Sequence, residues 1–550
     1  MSVKKTCAPG NIIDSWHNIE WKRANRIVKK LQYRIAKATK EGRYNKVKSL
    51  QWILMHSLSA KVIAVRRVTE NQGKRTPGID GVTWCNPEEK LEAVRELNRK
   101  GYHPKALRRI YIPKKNGKKR PLSIPTMKDR AMQALYLQGL EPVSETLADE
   151  NSYGFRKERS CADAIAKCFI NLSKKCSPEW VLEGDIKGCF DNINHEWLMN
   201  HIPMDKEILR KWLKAGYIEN GKSFLSESGT PQGGIISPAL ANMTLDGMEN
   251  LLGKRFDSQK GKKVHIIRYA DDFVITGESE ELLEKEVKPI IEEFLKERGL
   301  ELSEEKTRIT HIDKGFDFLG MNLRKYKGKL LIKPSKENFN AIAKKIRDII
   351  SNHKTVKQSV LIKLINPLIR GWSNYHSGNV AKSAYNKLDS IIWEKLWQWC
   401  CRRHPNKGKR WIKKKYFKQE GSRNWIFKAD TGETLLKALD TKIIRHIKIK
   451  GIYNPFDPSW EVYSEERAQK MMIKQVRHKK CLLAIWKAQN GRCPCCQGRI
   501  TKETAWNIHH IVKRIDGGKD NISNLMLLHP DCHIQLHQKK NVAGSRLEGL

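Results

Sequence analysis

The sequence has little of what a membrane-spanning or exported protein requires. It contains no run of about 18 apolar residues, the minimum for a bilayer span. Its opening segment, MSVKKTCAPG, has no apolar signal core. We therefore expect no membrane partner and a cytoplasmic location.

Cysteine is present, but its distribution is not that of a disulfide-bonded protein. The 13 cysteines are odd in number, and several stand singly along the chain. The single ones are Cys7, Cys85, Cys161, Cys168, Cys176 and Cys189. This distribution predicts reduced thiols, and only the cluster after position 490 has a spacing that indicates chemistry.

Acidic residues are scarce relative to basic ones. Lys and Arg total 105 against 60 Asp and Glu, which gives a formal net charge of +45. Because charge of one sign repels itself in a compact fold, this excess predicts a polyanionic partner, and nucleic acid is the obvious one. A ribosomal-type or merely soluble basic protein is the alternative, but such proteins are usually shorter and lack the acidic motifs described below.

Length and periodicity predict several domains. At 550 residues the chain is longer than one core usually supports. The predicted regions are a basic helical extension at 1–75, a mixed α and β region at 76–328, a helical region at 329–405, a basic DNA-binding region or linker at 406–480, and a small metal-bound domain at 481–550. Within the mixed region, 181–186, 264–269 and 273–277 are predicted strands, and 114–120 is predicted to be the turn of a basic hairpin.

Two adjacent carboxylates stand between predicted strands at Tyr269-Ala-Asp271-Asp272. In a tight hairpin they would project beyond the end of a sheet, where like charges repel and raise one pKa unless a cation lies between them. Asp185, at the end of a neighbouring predicted strand, would supply a third carboxylate. Such a set can hold two Mg²⁺ ions about 3.5 to 4 Å apart and support nucleotidyl transfer. An isolated Asp-Asp pair is more often a solvated turn.

Further motifs accompany this pair, in a fixed order along the chain. They are Lys119-Arg120-Pro-Leu-Ser-Ile-Pro125, Asp185-Ile-Lys-Gly-Cys-Phe190, Ser228-Gly-Thr-Pro-Gln232-Gly-Gly, Tyr269-Ala-Asp-Asp, Leu302-Ser-Glu-Glu-Lys306-Thr and Phe316-Asp-Phe-Leu-Gly320. With these motifs the chain resembles the reverse transcriptase family over roughly residues 75–325. The resemblance implies an α+β multidomain protein with a right-hand polymerase, whose fingers and palm contain an antiparallel sheet.

The resemblance also implies roles for individual residues. Asp185, Asp271 and Asp272 would be catalytic and bind Mg²⁺ together with Ile186. Phe190 would lie under the sugar and exclude a 2′-hydroxyl, unless it is a plain core residue. Lys114 and Arg120 would contact the triphosphate of the incoming dNTP, unless they are ordinary surface charges. Gln232, in the glycine-rich turn, would line the nucleotide pocket. Lys306 would donate a proton to pyrophosphate.

Within that family the chain looks most similar to group II intron reverse transcriptases, or maturases. The similarity rests on three features: Gly78-Ile-Asp-Gly-Val-Thr83 upstream, Leu368-Ile-Arg-Gly-Trp-Ser-Asn-Tyr375-His376 in the helical region, and the nuclease-like tail described below. That region would be an α-helical thumb, called domain X, in which Arg370, Trp372 and Tyr375 grip RNA, although a packed helix core is an equal alternative for the two aromatics. The resemblance implies binding of intron RNA, assistance to splicing and retrohoming into target DNA.

Near the C-terminus, two pairs of soft ligands have the spacing of a zinc site. They are Cys493 with Cys496 and His529 with Cys532, each pair separated by two residues. Cys495 lies inside the first pair and could compete as a ligand. A segment this small needs such a metal to fold, so a structural Zn²⁺ is predicted.

The residues around these pairs resemble the HNH nuclease family, which implies a small ββα-metal domain. His510 would be the general base, oriented by Asn524. A divalent cation, expected to be Mg²⁺, would be bound by His509, His533 and His537. A zinc-knuckle binding module with incidental histidines is the alternative. The implied activity is nicking of target DNA.

Two other functions compete with this multifunctional enzyme. One is an RNA-binding splicing cofactor with little or no enzymatic activity. The other is a domesticated or defence-associated reverse transcriptase. The sequence retains all three aspartates and the nuclease histidines, which favours active enzyme sites.

Overall fold

The computed structural model describes residues 15–113, 117, 119–256, 261–476, 480–501, 504–512 and 521–536. Two predicted site residues, Lys114 and His537, lie outside these ranges. Within the ranges, no helix has both the length and the apolar character that crossing a membrane requires.

Helices dominate the beginning of the described chain. They are α1 (Trp21–Lys40), α2 (Tyr44–His56), α3 (Leu58–Thr69) and α4 (Pro87–Glu96). α1 buries a stripe that includes Val28, Leu31 and Ile35, as its apolar periodicity predicts. The helical prediction for this region is therefore confirmed. α4 is not among the predicted helices, and its sequence signal is the capping box between Asn86 and Glu89.

A hairpin and a long buried helix come next. β1 (Leu107–Pro113) and β2 (Lys119–Ile124) pair antiparallel, which confirms the predicted hairpin. α5 (Met127–Leu147) follows and packs against α1 and α3. The Gln138 side chain of α5 donates to the Ala60 carbonyl of α3 at 2.9 Å, so this long helix fixes the N-terminal helices to the polymerase-like region.

The central region alternates helices with short strands. Its elements are α6 (Cys161–Leu172), β3 (Trp180–Asp185), α7 (Cys189–Asn192), α8 (His195–His201), α9 (Lys206–Leu213), β4 (Tyr217–Glu219), β5 (Lys222–Phe224), α10 (Ser237–Leu245), α11 (Met248–Arg255), β6 (His265–Tyr269), β7 (Asp272–Gly277), a π-helical turn (Leu282–Val287), α12 (Lys288–Lys296) and β8 (Arg308–His311). The three predicted strands are β3, β6 and β7, and all three are confirmed.

Two four-stranded sheets organise these elements. The palm sheet has the strand order β6-β7-β3-β8 and every pairing in it is antiparallel. The fingers sheet has the order β2-β1-β4-β5, with a parallel pairing between β1 and β4. The predicted antiparallel palm is confirmed, and its central strands are buried on a continuous core.

A small sheet and three long helices form the thumb. The strands are β9 (Phe316–Phe318), β10 (Met321–Tyr326) and β11 (Lys329–Pro334), and the helices are α13 (Lys336–Asn352), α14 (Gln358–His376) and α15 (Lys382–Arg403). These helices enclose a separate apolar core, as the helical periodicity of the sequence predicts. α16 (Lys409–Tyr416), β12 (Phe417–Glu420) and β13 (Arg423–Phe427) follow and add Ile412, Phe417 and Phe427 to the same core.

An irregular segment then returns to the palm. The buried Asp163 carboxylate accepts the Ile449 amide at 2.8 Å and lies 2.8 Å from His446 Nε2. Arg159 donates to the Gly451 carbonyl at 2.7 Å. These contacts hold residues 446–451 against the palm before α17 begins.

The C-terminal part is small. It contains α17 (Glu461–Val476), α18 (Lys480–Ala488) and the antiparallel hairpin of β14 (Asn507–His510) and β15 (Leu525–Leu528). Its buried residues join the core of the N-terminal helices and palm.

Candidate active sites

Three acidic residues meet at one edge of the palm sheet. The register of β3 and β7 sets Asp185 directly opposite Asp272, and that of β6 and β7 sets Tyr269 opposite Asp272. Ala270 and Asp271 therefore form the two-residue turn of the hairpin, and Ala270 has a φ of 59°. The structure thus brings Asp185 beside the hairpin that carries the other two aspartates.

The acids perturb one another. Burial raises the pKa of Asp272 to about 6, and the charges of Asp271 and Asp185 add to the shift. Burial also raises the pKa of Asp271. Lys306 Nζ lies 2.6 Å from Asp185 Oδ2 and partly offsets the acidic charge. A set of converging carboxylate oxygens of this kind fits a hard divalent cation such as Mg²⁺.

The predicted ligand Ile186 lies just beyond the strand edge. Its backbone is bridged to Leu302, and its side chain is buried. The neighbouring Asp185 carbonyl accepts the Ser303 amide at 2.8 Å. Because the isoleucine side chain has no atom that can bind a metal, only the backbone carbonyl of Ile186 could be a ligand. That role stays a prediction.

A buried arginine braces the catalytic hairpin from behind. Arg268 is 2 % exposed and forms an ion pair with Asp246. The same guanidinium donates to Asn242 Oδ1 at 3.2 Å and to the Ala270 carbonyl at 3.3 Å. Asn242 in turn donates to the Gly154 carbonyl at 2.8 Å. Sequence reasoning missed this group, and its one local signal is a charged residue inside an otherwise apolar strand.

Two glycines allow the hairpin and its neighbours to approach closely. A Cβ on Gly184 would lie 2.2 Å from the Phe273 ring, and one on Gly154 would lie 2.3 Å from the Ala270 amide nitrogen. Both distances are shorter than the contacts that Cβ atoms make in proteins. The backbone on either side of the acids is therefore packed without spare volume.

The glycine-rich turn sits between the palm and the fingers. The Phe190 carbonyl accepts the Thr230 amide at 2.6 Å, and the Gln232 carbonyl accepts the Ser123 amide of β2 at 2.7 Å. The Gln232 side chain donates to Asp191 at 3.1 Å. Gly229, with a φ of 79°, has no room for a side chain because a Cβ there would lie 2.5 Å from Asp191. The turn thus holds the Gln232 side chain against Asp191, the residue next to Phe190.

Arg120 of the fingers contributes a positive charge to this space. Arg120 is exposed on β2, paired with Ile112 of β1. It is close enough that its positive charge lowers the pKa of Asp271, against the larger effect of burial. Arg120 therefore faces the acidic edge, as its predicted role requires, while Lys114 lies outside the described residues.

The predicted RNA-gripping residues of the thumb differ in their surroundings. Trp372 is 8 % exposed, and its indole N–H donates to Asn338 Oδ1 at 2.7 Å. The Tyr375 hydroxyl donates to the Leu319 carbonyl at 2.8 Å, which connects α14 to the β9–β10 turn. Arg370 is exposed. The structure therefore places Trp372 in the thumb core, which was the open alternative, and leaves Arg370 and the 42 % exposed Tyr375 accessible to a ligand.

The four predicted zinc ligands come together. Cys493, Cys496, His529 and Cys532 each offer a ligand atom, and these atoms lie within 4.8 Å of one another. His529 Nδ1 faces Cys496 Sγ at 3.3 Å, while Nε2 lies 2.9 Å from the Arg499 carbonyl and fixes the ring. Three sulfurs and one imidazole nitrogen fit a tetrahedral structural Zn²⁺.

The four clustered groups interact strongly with one another. Hydrogen bonds among them lower the pKa of the Cys493 thiol and raise the pKa of the Cys532 thiol and of His529. Cys495 is not one of the four clustered ligands and is only partly buried. It therefore acts here as a neighbour of the cluster.

The predicted nuclease residues lie on and beside the β14–β15 hairpin. His509 and His510 are adjacent in β14, so their side chains project to opposite faces. His509 is buried, and its ring centroid lies 5.2 Å from that of His533. The Asn524 amide group accepts the Val512 N–H at 2.8 Å and donates to the Val512 carbonyl at 3.1 Å. Asn524 thus braces the backbone that follows His510, and His537 lies outside the described residues.

Four family models match successive parts of the chain. Reverse transcriptase (RNA-dependent DNA polymerase) matches residues 112–323, and N-terminal domain of reverse transcriptase matches 16–97. Group II intron, maturase-specific domain matches 339–417, and HNH endonuclease matches 493–539. Their order is the order of the fingers and palm, thumb and C-terminal hairpin described above.

Curated relatives share the same central region. Protein YkfC of Escherichia coli is 34 % identical over 303 residues, which cover 47 % of this chain and 79 % of that protein. The group II intron-encoded protein LtrA of Lactococcus lactis is 34 % identical over 331 residues, 48 % of this chain and 54 % of LtrA. The alignment thus spans about half the length of LtrA. A telomerase structure from Candida tropicalis is 14 % identical with a TM-score of 0.35 over 56 % of this chain and 63 % of that one, a likeness too weak to support an argument.

Proposed function

This chain belongs to the reverse transcriptase family of group II intron-encoded proteins, and from that premise we propose that it copies RNA into DNA by nucleotidyl transfer at Asp185, Asp271 and Asp272. One observation carries the proposal. The register of β3 and β7 sets Asp185 opposite Asp272, next to the turn that carries Asp271. When bound there, Mg²⁺ stabilises the charge that develops on the attacking primer 3′-hydroxyl and on the leaving pyrophosphate.

The surrounding side chains position the substrates. Arg120 neutralises the incoming triphosphate from the fingers, and its planar fork suits a phosphate. Lys306 Nζ lies 2.6 Å from Asp185 Oδ2, which holds its ammonium group at the acidic edge, where it donates a proton to pyrophosphate. Gln232 and Phe190 form the wall that contacts base and sugar.

Primer extension on an RNA template with dNTPs tests the polymerase directly. Asp271→Asn is expected to reduce the rate on the order of a thousandfold, because a metal site supplies several kcal/mol and about 1.4 kcal/mol is a factor of ten. Asp313→Asn is the matched control, since that carboxylate lies at the far end of β8 near His311. Equal extension by the wild type and Asp271→Asn would remove the proposed active site.

We further propose that Phe190 selects dNTPs over NTPs by sterics. Its ring is partly exposed beside the glycine-rich turn and meets Phe155 edge-on at 6.1 Å. Phe190→Val is expected to raise NTP incorporation relative to dNTP incorporation by about tenfold to a hundredfold, as for other changes in pocket volume. An unchanged ratio would assign Phe190 to packing alone.

Intron RNA is the proposed macromolecular partner, and assistance to splicing the proposed second activity. The maturase-specific match lies on the thumb, where Arg370 is exposed. Arg370→Ala is expected to weaken RNA binding and to lower the slope of log affinity against log salt by about one. RNA affinity that does not change in Arg370→Ala would reject this residue as a phosphate contact.

The C-terminal hairpin is proposed to nick target DNA, with His510 as the general base and a divalent cation bound by His509, His533 and His537. Asn524 supports the base through its hydrogen bonds to Val512. Nicking of supercoiled DNA should be lost in His510→Ala while primer extension persists. Nicking that survives this change would reject the base assignment.

A further inference from the structure

The C-terminal zinc cluster does not stand alone, because an arginine from α3 reaches it. Arg66 Nη2 lies 3.2 Å from the Sγ of Cys532, although the two residues are 466 positions apart in the chain. The Arg66 side chain is only 13 % exposed. A guanidinium in this position donates a hydrogen bond to a zinc ligand from another domain.

The same arginine is part of a small network that crosses the seam between the domains. Arg66 Nε donates to Glu70 Oε2 at 2.7 Å, and Gln535 on the nuclease side donates to Glu70 Oε1 at 2.9 Å. The guanidinium also lies over the Trp21 ring at 4.5 Å. Contacts within α1 and α3 thus fix the Arg66 side chain in the position from which it donates a hydrogen bond to Cys532.

A second contact joins the N-terminal helices to another residue of the cluster, Cys496. The Asn25 side chain of α1 donates to the Cys496 carbonyl at 3.1 Å. Cys496 and Cys532 come from the two different ligand pairs, so the N-terminal helices contact both halves of the metal site. Both contacts therefore require the Cys493–Cys496 pair and the His529–Cys532 pair to lie close together.

Electrostatics explain why an arginine suits this place. Three thiolates and one neutral imidazole around Zn²⁺ leave a net charge of −1 on the site, since each thiolate carries one negative charge. A partly buried anion of this kind needs a partner. Arg66 supplies the positive charge and a donor directed at the sulfur.

The seam is otherwise incompletely packed. A cavity of about 470 Å³ lies along it. Its lining comes from both sides and includes Asn18, Trp21, Arg26, Cys495, Cys532 and Leu536. The nuclease domain is therefore attached both by buried apolar residues that it shares with the core of the N-terminal helices and by the polar contacts around the zinc ligands.

We propose that the N-terminal helices are the docking surface of the nuclease domain, and that Arg66 completes its zinc centre from outside. Zinc loading and docking are then coupled. The metal draws Cys532 and Cys496 into the positions that Arg66 and Asn25 recognise, and the docked helices in turn retain the metal. The inference rests on the proposed zinc site but not on either proposed activity.

Zinc release from the full-length protein tests the coupling. The zinc content is measured first, and the protein is then challenged with a colorimetric chelator. Arg66→Ala is expected to release zinc about tenfold to a hundredfold faster than the wild type, the usual effect of removing a hydrogen bond to a metal ligand. Arg66→Lys should fall between the two, because it keeps the charge and loses the fork.

Arg67→Ala is the matched control. Arg67 is the next residue of α3, but it points to Glu141 at 3.6 Å and is 44 % exposed. It loses the same charge without touching the seam, so its zinc release should equal that of the wild type. If Arg66→Ala misfolds, Asn25→Ala provides the same test from a smaller and partly exposed side chain.

Hydrogen exchange gives a readout that does not depend on activity. Chelated wild-type protein should exchange faster than the zinc-loaded form in residues 19–26 of the N-terminal helices as well as in the nuclease domain. Equal zinc release by the wild type, Arg66→Ala and Asn25→Ala would overturn the coupling, as would unchanged exchange in residues 19–26. Protein purified without zinc would overturn the zinc site and this inference together, and RNA-templated extension would remain as the separate test of the polymerase.

Discussion

The polymerase site and the nuclease site are built by different means. The aspartates of the palm lie at the edge of a four-stranded sheet, and the strands that carry them belong to the large apolar core. The nuclease histidine His510 lies on a two-stranded hairpin, and His529, one of the four clustered candidate zinc ligands, directly follows its second strand. Packing positions the palm site, whereas the hairpin combines packing, through Leu527 and Leu528 of β15, with a group of four residues that could hold a metal.

The difference predicts that each site can be damaged without the other. A change around the palm aspartates should leave DNA nicking intact, and a change in the zinc ligands should leave primer extension intact. Each of the variants below therefore requires both assays.

Removing a zinc ligand should have the largest effect. Cys493→Ser is expected to abolish nicking and zinc binding, because structural zinc contributes on the order of 10 kcal/mol to the folding of a small domain. Primer extension by the same protein should be retained. Cys401→Ser, a partly exposed cysteine of the thumb, is the control. Nicking by zinc-free Cys493→Ser would contradict the proposed role of zinc, since the hairpin would then be stable without its metal.

Removing the brace behind the catalytic hairpin should come next. Arg268→Leu leaves Asp246 buried without its partner, which typically costs about 3–5 kcal/mol. We expect a lower midpoint of thermal unfolding and a loss of extension, with zinc content unchanged. Arg255→Leu removes the same charge from an exposed position at the end of α11 and should alter neither. Normal extension by Arg268→Leu would show that the hairpin positions Asp271 without this ion pair.

A smaller effect is expected from a single added carbon. Gly184→Ala places a Cβ where the Phe273 ring already lies, and overpacking of this kind costs about 1–3 kcal/mol. The free energy of unfolding should fall by that amount, and extension should fall with it. Gly253→Ala in α11 is the opposite case, because nothing lies within 4 Å of its Cβ, and alanine in a helix is favoured by about 1 kcal/mol. Equal effects of the two changes would contradict the tight packing around the acids.

Elementary sequence reasoning predicted the parts whose causes are local. The strands β3, β6 and β7 are short runs of β-branched residues, and the thumb helices have clear apolar periodicity, so both could be read from spacing alone. The clustering of Cys493 with Cys532 was predictable because ligand spacing is itself a local signal. Each of these features has its signal within a few neighbouring residues, and for the zinc ligands that signal is the two-residue spacing inside each pair.

Apart from α4, whose capping box is a local signal, the missed features depend on long-range contacts. Arg268 and Asp246 are 22 positions apart, and nothing near either residue announces the pairing. His446 meets Asp163 across 283 positions, so the segment that looks like a linker in sequence is fastened to the palm in the structure. Arg66 was one of many lysines and arginines, and only the fold shows that its charge is directed at Cys532.

The smallest predicted effect is one of pH. Because burial raises the pKa of Asp272 to about 6, against roughly 3.9 in an unfolded chain, the folded protein without metal binds this proton more tightly. Its stability should therefore fall as the pH rises from about 4 to about 6, and a divalent cation should offset the loss above pH 6. The expected shift in Tm between Mg²⁺ and EDTA is on the order of 2 °C.

Asp272→Asn distinguishes this group from other titrating residues. The asparagine cannot ionise, so the part of the Mg²⁺-dependent Tm shift that appears between pH 4 and pH 6 should be lost. If the wild type and Asp272→Asn keep the same pH dependence, the shift belongs to other residues and the palm carboxylates are not strongly coupled.

The central claim is that Asp185, Asp271 and Asp272 bind divalent cations together. Iron(II) in place of Mg²⁺, with ascorbate and peroxide, cleaves a polypeptide backbone next to the bound ion, and the fragments can be mapped by mass spectrometry. The account predicts cuts near both residue 185 and residues 271–272, and loss of both cuts in Asp271→Asn. Cuts at only one of these segments, or cuts near residue 185 that persist in Asp271→Asn, would contradict it.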